Sequence, residues 1–199
     1  MNSFKMIRIA IVGEIGSGKT FVSKFFKYPL FNADKEVTKI YKSNNRCFKK
    51  LKKEFPKDIT KFPIIKSELR NIINKKNIKI ISNIVHPYVR SSLRNFLKRN
   101  DHKKFVVLDI PLLIENKLNK KSDILIFVKT PNKLIVKRLK KRGNYNKRVI
   151  DILKYQQLDK TKKLKSSKFV IDNSFNKVNI IRQINKIKKK INERNSFRY

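Results

Sequence analysis

The chain has 199 residues, 40% of them hydrophobic, and a formal charge of +38 from 52 basic and 14 acidic side chains. That length accommodates one domain with a real core and small inserted subdomains. No apolar run approaches the ~18 residues of a membrane-spanning helix. The single cysteine, Cys47, excludes an internal disulfide.

Residues 6–12 form an apolar, β-branched run bounded by Gly13 and predict a buried strand. Residues 19–26 predict a helix that stops before Pro29. A short strand at 30–32, a helix at 33–41 and a further helix at 47–55 follow. Pro56 and Pro63 make 57–66 irregular. Ser67 is the expected cap of a short helix. The helix expected over 78–99 contains Pro87, which demands a kink or a break. Strands are expected at 104–110, 123–129 and 167–172. Helices are expected at 131–141, 147–164 and 178–191, with a turn at 143–146 and a polar, fraying tail at 192–199. Apolar strands alternating with helices imply a parallel sheet covered on both faces. The apolar start runs straight into a glycine loop without a small-residue cleavage site. No signal peptide is therefore expected, and the cytoplasm is the expected compartment.

The basic excess is 40 Lys against 12 Arg, spread from Lys5 to Arg198. Specific nucleic-acid readers favour Arg, whose planar fork makes bidentate contacts. Nucleic acid is therefore not the expected partner, and attraction of anionic ligands such as nucleotides is the milder reading. The scarce acids are informative: Asp34, Asp109, Glu115 and Asp172 fall at or near predicted strand ends.

Three of the four glycines lie in Gly13-Glu14-Ile15-Gly16-Ser17-Gly18-Lys19-Thr20, between a predicted strand and a predicted helix. This fits G-x-x-x-x-G-K-[ST]. Backbone N–H groups of such a loop converge on phosphate oxygens, and a Cβ would block the approach or forbid the backbone angles. Lys19 then reaches the β- and γ-phosphates, and the Thr20 hydroxyl is a Mg²⁺ ligand. Glu14 is unwelcome in a phosphate cradle unless its side chain points away. ATP and Mg²⁺ are the expected cofactors.

Beyond the loop, an ordered set of segments runs through residues 6–176: "VGEIGSGKT", "FNADKEV", "NIVHPYVR", "DIPLLIEN", "VKRLKKRGN", "YQQLDKTKK" and "FVIDNS". In order and spacing it resembles the dephospho-CoA kinase family, "IPLLIE" and "HP" most specifically. Glu14 departs from a usual glycine, and Asn32 from an aspartate that many members have. The resemblance implies ATP-dependent phosphorylation of the ribose 3′-hydroxyl of dephospho-CoA. It also implies an α/β P-loop kinase core, a five-stranded parallel sheet flanked by helices, with a helical substrate-binding insertion and a small helical lid. The expected parts are a core over about 1–45, 101–137 and 165–199, an insertion over 46–100 and a lid over 138–164. Oligomeric state is open, with a monomer expected.

The resemblance implies that Asp34 is the general base for the 3′-hydroxyl; a helix N-cap is the alternative. Asp109 is either a Walker-B-like aspartate for Mg²⁺ or a strand-end cap. Pro111, Leu112 and Leu113 are expected to shape the acceptor pocket. Glu115 either faces the acceptor or ties down a basic side chain in a buried salt bridge. The resemblance places His86 near the acceptor, and Arg90, one helical turn on, could meet the same phosphates. Arg138 and Arg142, four apart beside Gly143, read either as lid arginines closing over the transferring phosphate or as a solvated basic face. Asn173 either satisfies the adenine edge or forms a turn.

Overall fold

Successive side chains of a strand point to opposite faces, and each face of the sheet here has its own core. The computed structural model describes residues 6–141 and 146–196. Strands β1 (Ile7–Gly13), β2 (Leu30–Asn32), β3 (Phe105–Asp109), β4 (Ile124–Lys129) and β5 (Phe169–Asp172) form one parallel sheet in the order β2-β3-β1-β4-β5. On one face, Ala10, Val12, Leu108 and Phe127 pack with side chains of helices α2 (Ala33–Ser43), α3 (Asn45–Glu54), α4 (Lys66–Ile72) and α5 (Asn77–Arg99). On the other, Ile9, Ile11, Val107 and Ile126 meet α1 (Lys19–Lys24) and α9 (Lys177–Ser196), the latter through Ile180, Ile184, Ile187 and Ile191. Burying each such side chain contributes about 1.5–3 kcal/mol. The strands therefore read as continuous apolar runs because both faces are covered.

Helices α6 (Asn132–Lys141), α7 (Lys147–Tyr155) and α8 (Lys160–Lys165) lie between β4 and β5 in the chain. Register pairs Asn32 with Asp109 and Gly13 with Val128, so the ends of β2, β3 and β1 share one edge with the loop that follows β1. Ligands of open α/β sheets bind at that carboxyl edge.

Four local expectations need correction. Of the kink or break expected at Pro87, the break does not occur: helix α5 is continuous there, because Ile81, Val85, Val89 and Leu93 bury one face. The single helix expected over 147–164 is two: Asp159 leaves helical geometry, and its carboxylate accepts the N–H groups of Thr161 and Lys162 to cap α8. Ser67 lies inside α4, whose N-cap position is Ile65, without a side-chain cap. The tail is helical to Ser196, the further turn of α9 following Ile191. Most of the turn expected at 143–146 lies outside the described residues; Asn146 caps α7 by accepting the Val149 N–H. Among the described residues, no helix is long and apolar enough to cross a membrane.

Candidate active site

The loop after β1 excludes side chains because protein lies against it. A Cβ on Gly13 would stand 2.8 Å from the Val128 carbonyl oxygen, and one on Gly16 would stand 3.0 Å from Ile135 and Leu139 of α6. At Gly18 it would overlap the Asn173 amide and the Phe175 ring. All three glycines also adopt positive φ. The expected reason, close approach of a phosphate, is thus joined by close packing from β4, α6 and the segment after β5.

Lys19 opens α1, and its ammonium donates to the carbonyls of Gly13 at 3.1 Å and Glu14 at 2.9 Å. Burial lowers its pKa to about 8; Asp109 opposes that shift and Lys163 adds to it. Thr20 donates to Asp109 Oδ2 at 2.6 Å, and the Asn32 amide donates to the same oxygen. Asp109 is almost wholly buried, and desolvation raises its pKa against the pull of Thr20 and Lys19. These bonds come from side chains, so the strand-end cap expected as an alternative for Asp109 gives way to a tie between phosphate loop and sheet edge. Asn32 also caps α2, accepting the Lys35 N–H at 2.8 Å. Asp34 is therefore not the cap; it is exposed in the first turn of α2.

A cavity of about 470 Å³ opens beside this cluster. Ile15, Gly16, Gly18, Lys19 and Thr20 line its phosphate-loop side, with Asp34 and Asp109 adjoining in the lining. His86 and Arg90 enter from α5, and Ile81, Val85 and Val89 make an apolar wall. Burial, then the Arg90 charge, lowers the His86 pKa, which keeps the imidazole neutral near pH 7. Pro111 and Leu112 line the cavity, but Leu113 does not; it is 1% exposed, in the core. Gly13, Glu14 and Ser17 are likewise not among the lining residues.

Glu115 and Asn173 also differ from the ligand-facing expectation. Glu115 accepts the Leu158 N–H at 2.9 Å and pairs at 2.8 Å with Lys163, a lysine only 2% exposed. It ties down a basic side chain and does not line the cavity. Asn173, 1% exposed, donates to the Ser17 carbonyl and accepts the Phe175 N–H. Its polar atoms brace the phosphate loop and the turn that follows β5. Glu14 turns to Lys160 of α8 at 3.3 Å, which answers the electrostatic objection to a carboxylate in this loop. Arg138 lines the cavity, with its guanidinium over the Phe175 ring, 4.4 Å from the centroid. Arg142 and Gly143 lie outside the described residues. Sequence reasoning missed Lys163, Phe175 and Gln157. Lys163 and Gln157 sit in "YQQLDKTKK", where burial of the lysine and of the Gln157 amide nitrogen, neither visible in the sequence, sets them apart.

Sheet order, glycine loop and the lysine, threonine and aspartate gathered at the sheet edge define a P-loop kinase. The fold is shared with a crystal structure from Thermus thermophilus (TM-score 0.75, 24% identity, 95% of this chain and 98% of that one). It is also shared with a dephospho-CoA kinase from Campylobacter jejuni (TM-score 0.59, 23% identity, 92% and 97%). The dephospho-CoA kinase family model matches residues 7–179. The dephospho-CoA kinase of Ehrlichia canis is 29% identical over 197 residues, 95% of this chain and 98% of its own. That of the Wolbachia of Brugia malayi is 30% identical over 186 residues, 90% and 95%. The chain belongs to the dephospho-CoA kinase family, the phosphotransferases of the final step of coenzyme A biosynthesis.

Proposed function

We propose that this chain moves the terminal phosphoryl group of ATP to the ribose 3′-hydroxyl of dephospho-CoA, using Lys19, Asp34 and Arg138, with Mg²⁺ at Thr20 and Asp109. The carrying observation is the single cavity lined by Lys19, Thr20, Asp34, Asp109 and Arg138. Lys19 exchanges its two carbonyl partners for phosphate oxygens. Asp34 orients the acceptor hydroxyl and takes its proton as the new P–O bond forms and ADP leaves. Arg138 adds a fixed positive fork against the charge on the transferring group, and Arg142 has the same assignment from the sequence.

A hydroxyl and one carboxylate suit Mg²⁺, which keeps waters and phosphate oxygens as its other ligands. When bound, it neutralises charge on the phosphate oxygens. His86 and Arg90 hold the acceptor, against Pro111 and Leu112. The division into core, acceptor-binding insertion (46–100) and lid (138–164) belongs to the same reading. So do a cytoplasmic location, a monomer and no nucleic-acid partner.

The test is acceptor choice: ATP, Mg²⁺ and either dephospho-CoA or a nucleoside monophosphate, with ADP release followed. Turnover is expected with dephospho-CoA. Strong turnover with a monophosphate and none with dephospho-CoA would overturn the reading.

A further inference from the structure

One stretch of the cavity wall, from 116–118 and 153–157, contributes no charged side chain, although the chain is strongly basic. It presents the amides of Asn116, Gln156 and Gln157 beside Leu118 and Leu153. The Nε2 of Gln157 is buried and has no hydrogen-bond partner among the described residues. A buried amide donor left unpaired costs free energy, and native structures rarely keep one without a use. Its backbone is held on both sides. The Gln157 N–H donates to the Lys154 carbonyl at 2.9 Å, and the next N–H, of Leu158, donates to Glu115. Glu115 is fixed in turn by the buried Lys163. The backbone that carries the amide is thus anchored at the wall of a site whose charged groups lie on other segments.

We infer that Gln157 reads the adenine edge of the acceptor nucleotide and so helps determine acceptor specificity, an inference that rests on the acceptor proposed above. Phosphates call for positive charge, which Lys19, Arg90 and Arg138 already bring to the cavity. A neutral carboxamide suits a neutral group that offers a donor and an acceptor side by side. Adenine does so through its amino group and the adjacent ring nitrogen, and Gln recognises it in this bidentate way. Glu115 and Lys163 are positioning residues for that contact.

The experiment compares dephospho-CoA with an analogue whose base is purine lacking the 6-amino group. Wild type should lose about tenfold or more in kcat/KM on the analogue, because a site built to pair an N–H rejects the ligand lacking it. Gln157→Leu should lose a similar factor on dephospho-CoA and no longer distinguish the two acceptors. Its KM for ATP should stay within roughly twofold of wild type, since ATP is held elsewhere. Its melting temperature should not fall, because an unpaired buried polar group has been removed; Gln157→Met repeats the test if the Leu variant is unstable. Retained discrimination in the variant, an equal loss on both acceptors, or a rise in KM for ATP alone would each overturn the inference. Failure of wild type to use dephospho-CoA at all would instead overturn the acceptor assignment on which it rests.

Discussion

Lys19 is held between two demands: it must be charged to bind phosphate, yet burial opposes its charge and lowers its pKa to about 8. For the free enzyme, kcat/KM for ATP should therefore fall as pH rises through about 8. Replacing the neighbouring positive charge by Lys163→Gln should move that break to higher pH, as a pH–rate profile would show. The same shift has a sign for stability. The unfolded chain keeps the ordinary lysine value of 10.5 and binds the proton more tightly than the folded chain, so this group's penalty is relieved as pH rises from about 8 towards 10.5. Lys19→Ala should abolish turnover with the fold intact, seen as an unchanged far-UV spectrum. At Asp34, exposed at the start of α2 and lining the cavity, Asp34→Asn should keep ATP binding and lose on the order of a hundredfold in rate. An unchanged rate would remove Asp34 from catalysis.

At the scale of elements, α8 is joined to both sides of the site: Lys163 to Glu115 after β3, and Lys160 to Glu14 in the phosphate loop. Taking one partner from a buried pair typically costs about 3–5 kcal/mol, while replacing both with apolar groups costs far less. Glu115→Ala should therefore lower the melting temperature more than the double change Glu115→Leu with Lys163→Met. Glu115→Gln, which can still accept the Leu158 N–H, should preserve the acceptor KM better than Glu115→Ala; equal KM values would deny Glu115 its positioning role. The sequence offered a buried salt bridge as one of two readings of Glu115, but it did not identify Lys163 as the partner. A lysine at 163 looks like its many neighbours, and its burial depends on where α8 packs. The break before α8 was legible in principle, since Asp159 is a strong capping residue, but helical periodicity on both sides concealed it.

Across the whole molecule the charge of +38 works against compactness. Raising ionic strength from about 0.01 to about 1 M shortens the screening length from ~30 to ~3 Å. The melting temperature should rise with added salt, and the KM for ATP should rise too as attraction of the anionic nucleotide is screened. A melting temperature that falls monotonically with salt would show that ion pairs outweigh the repulsion.

By itself the sequence determined the layered α/β architecture, since apolar strands alternating with amphipathic helices can bury their faces in few ways. It also determined the phosphate loop, because Gly13, Gly16, Gly18, Lys19 and Thr20 are contiguous and their chemistry is local. Tertiary structure alone decided which partners distant side chains meet. It set Asn32 and Thr20 on one oxygen of Asp109, turned Asn173 onto the Ser17 carbonyl, buried Lys163 against Glu115 and left the Gln157 amide at the cavity wall. Those contacts join segments up to 156 residues apart, so spacing along the chain carries no trace of them.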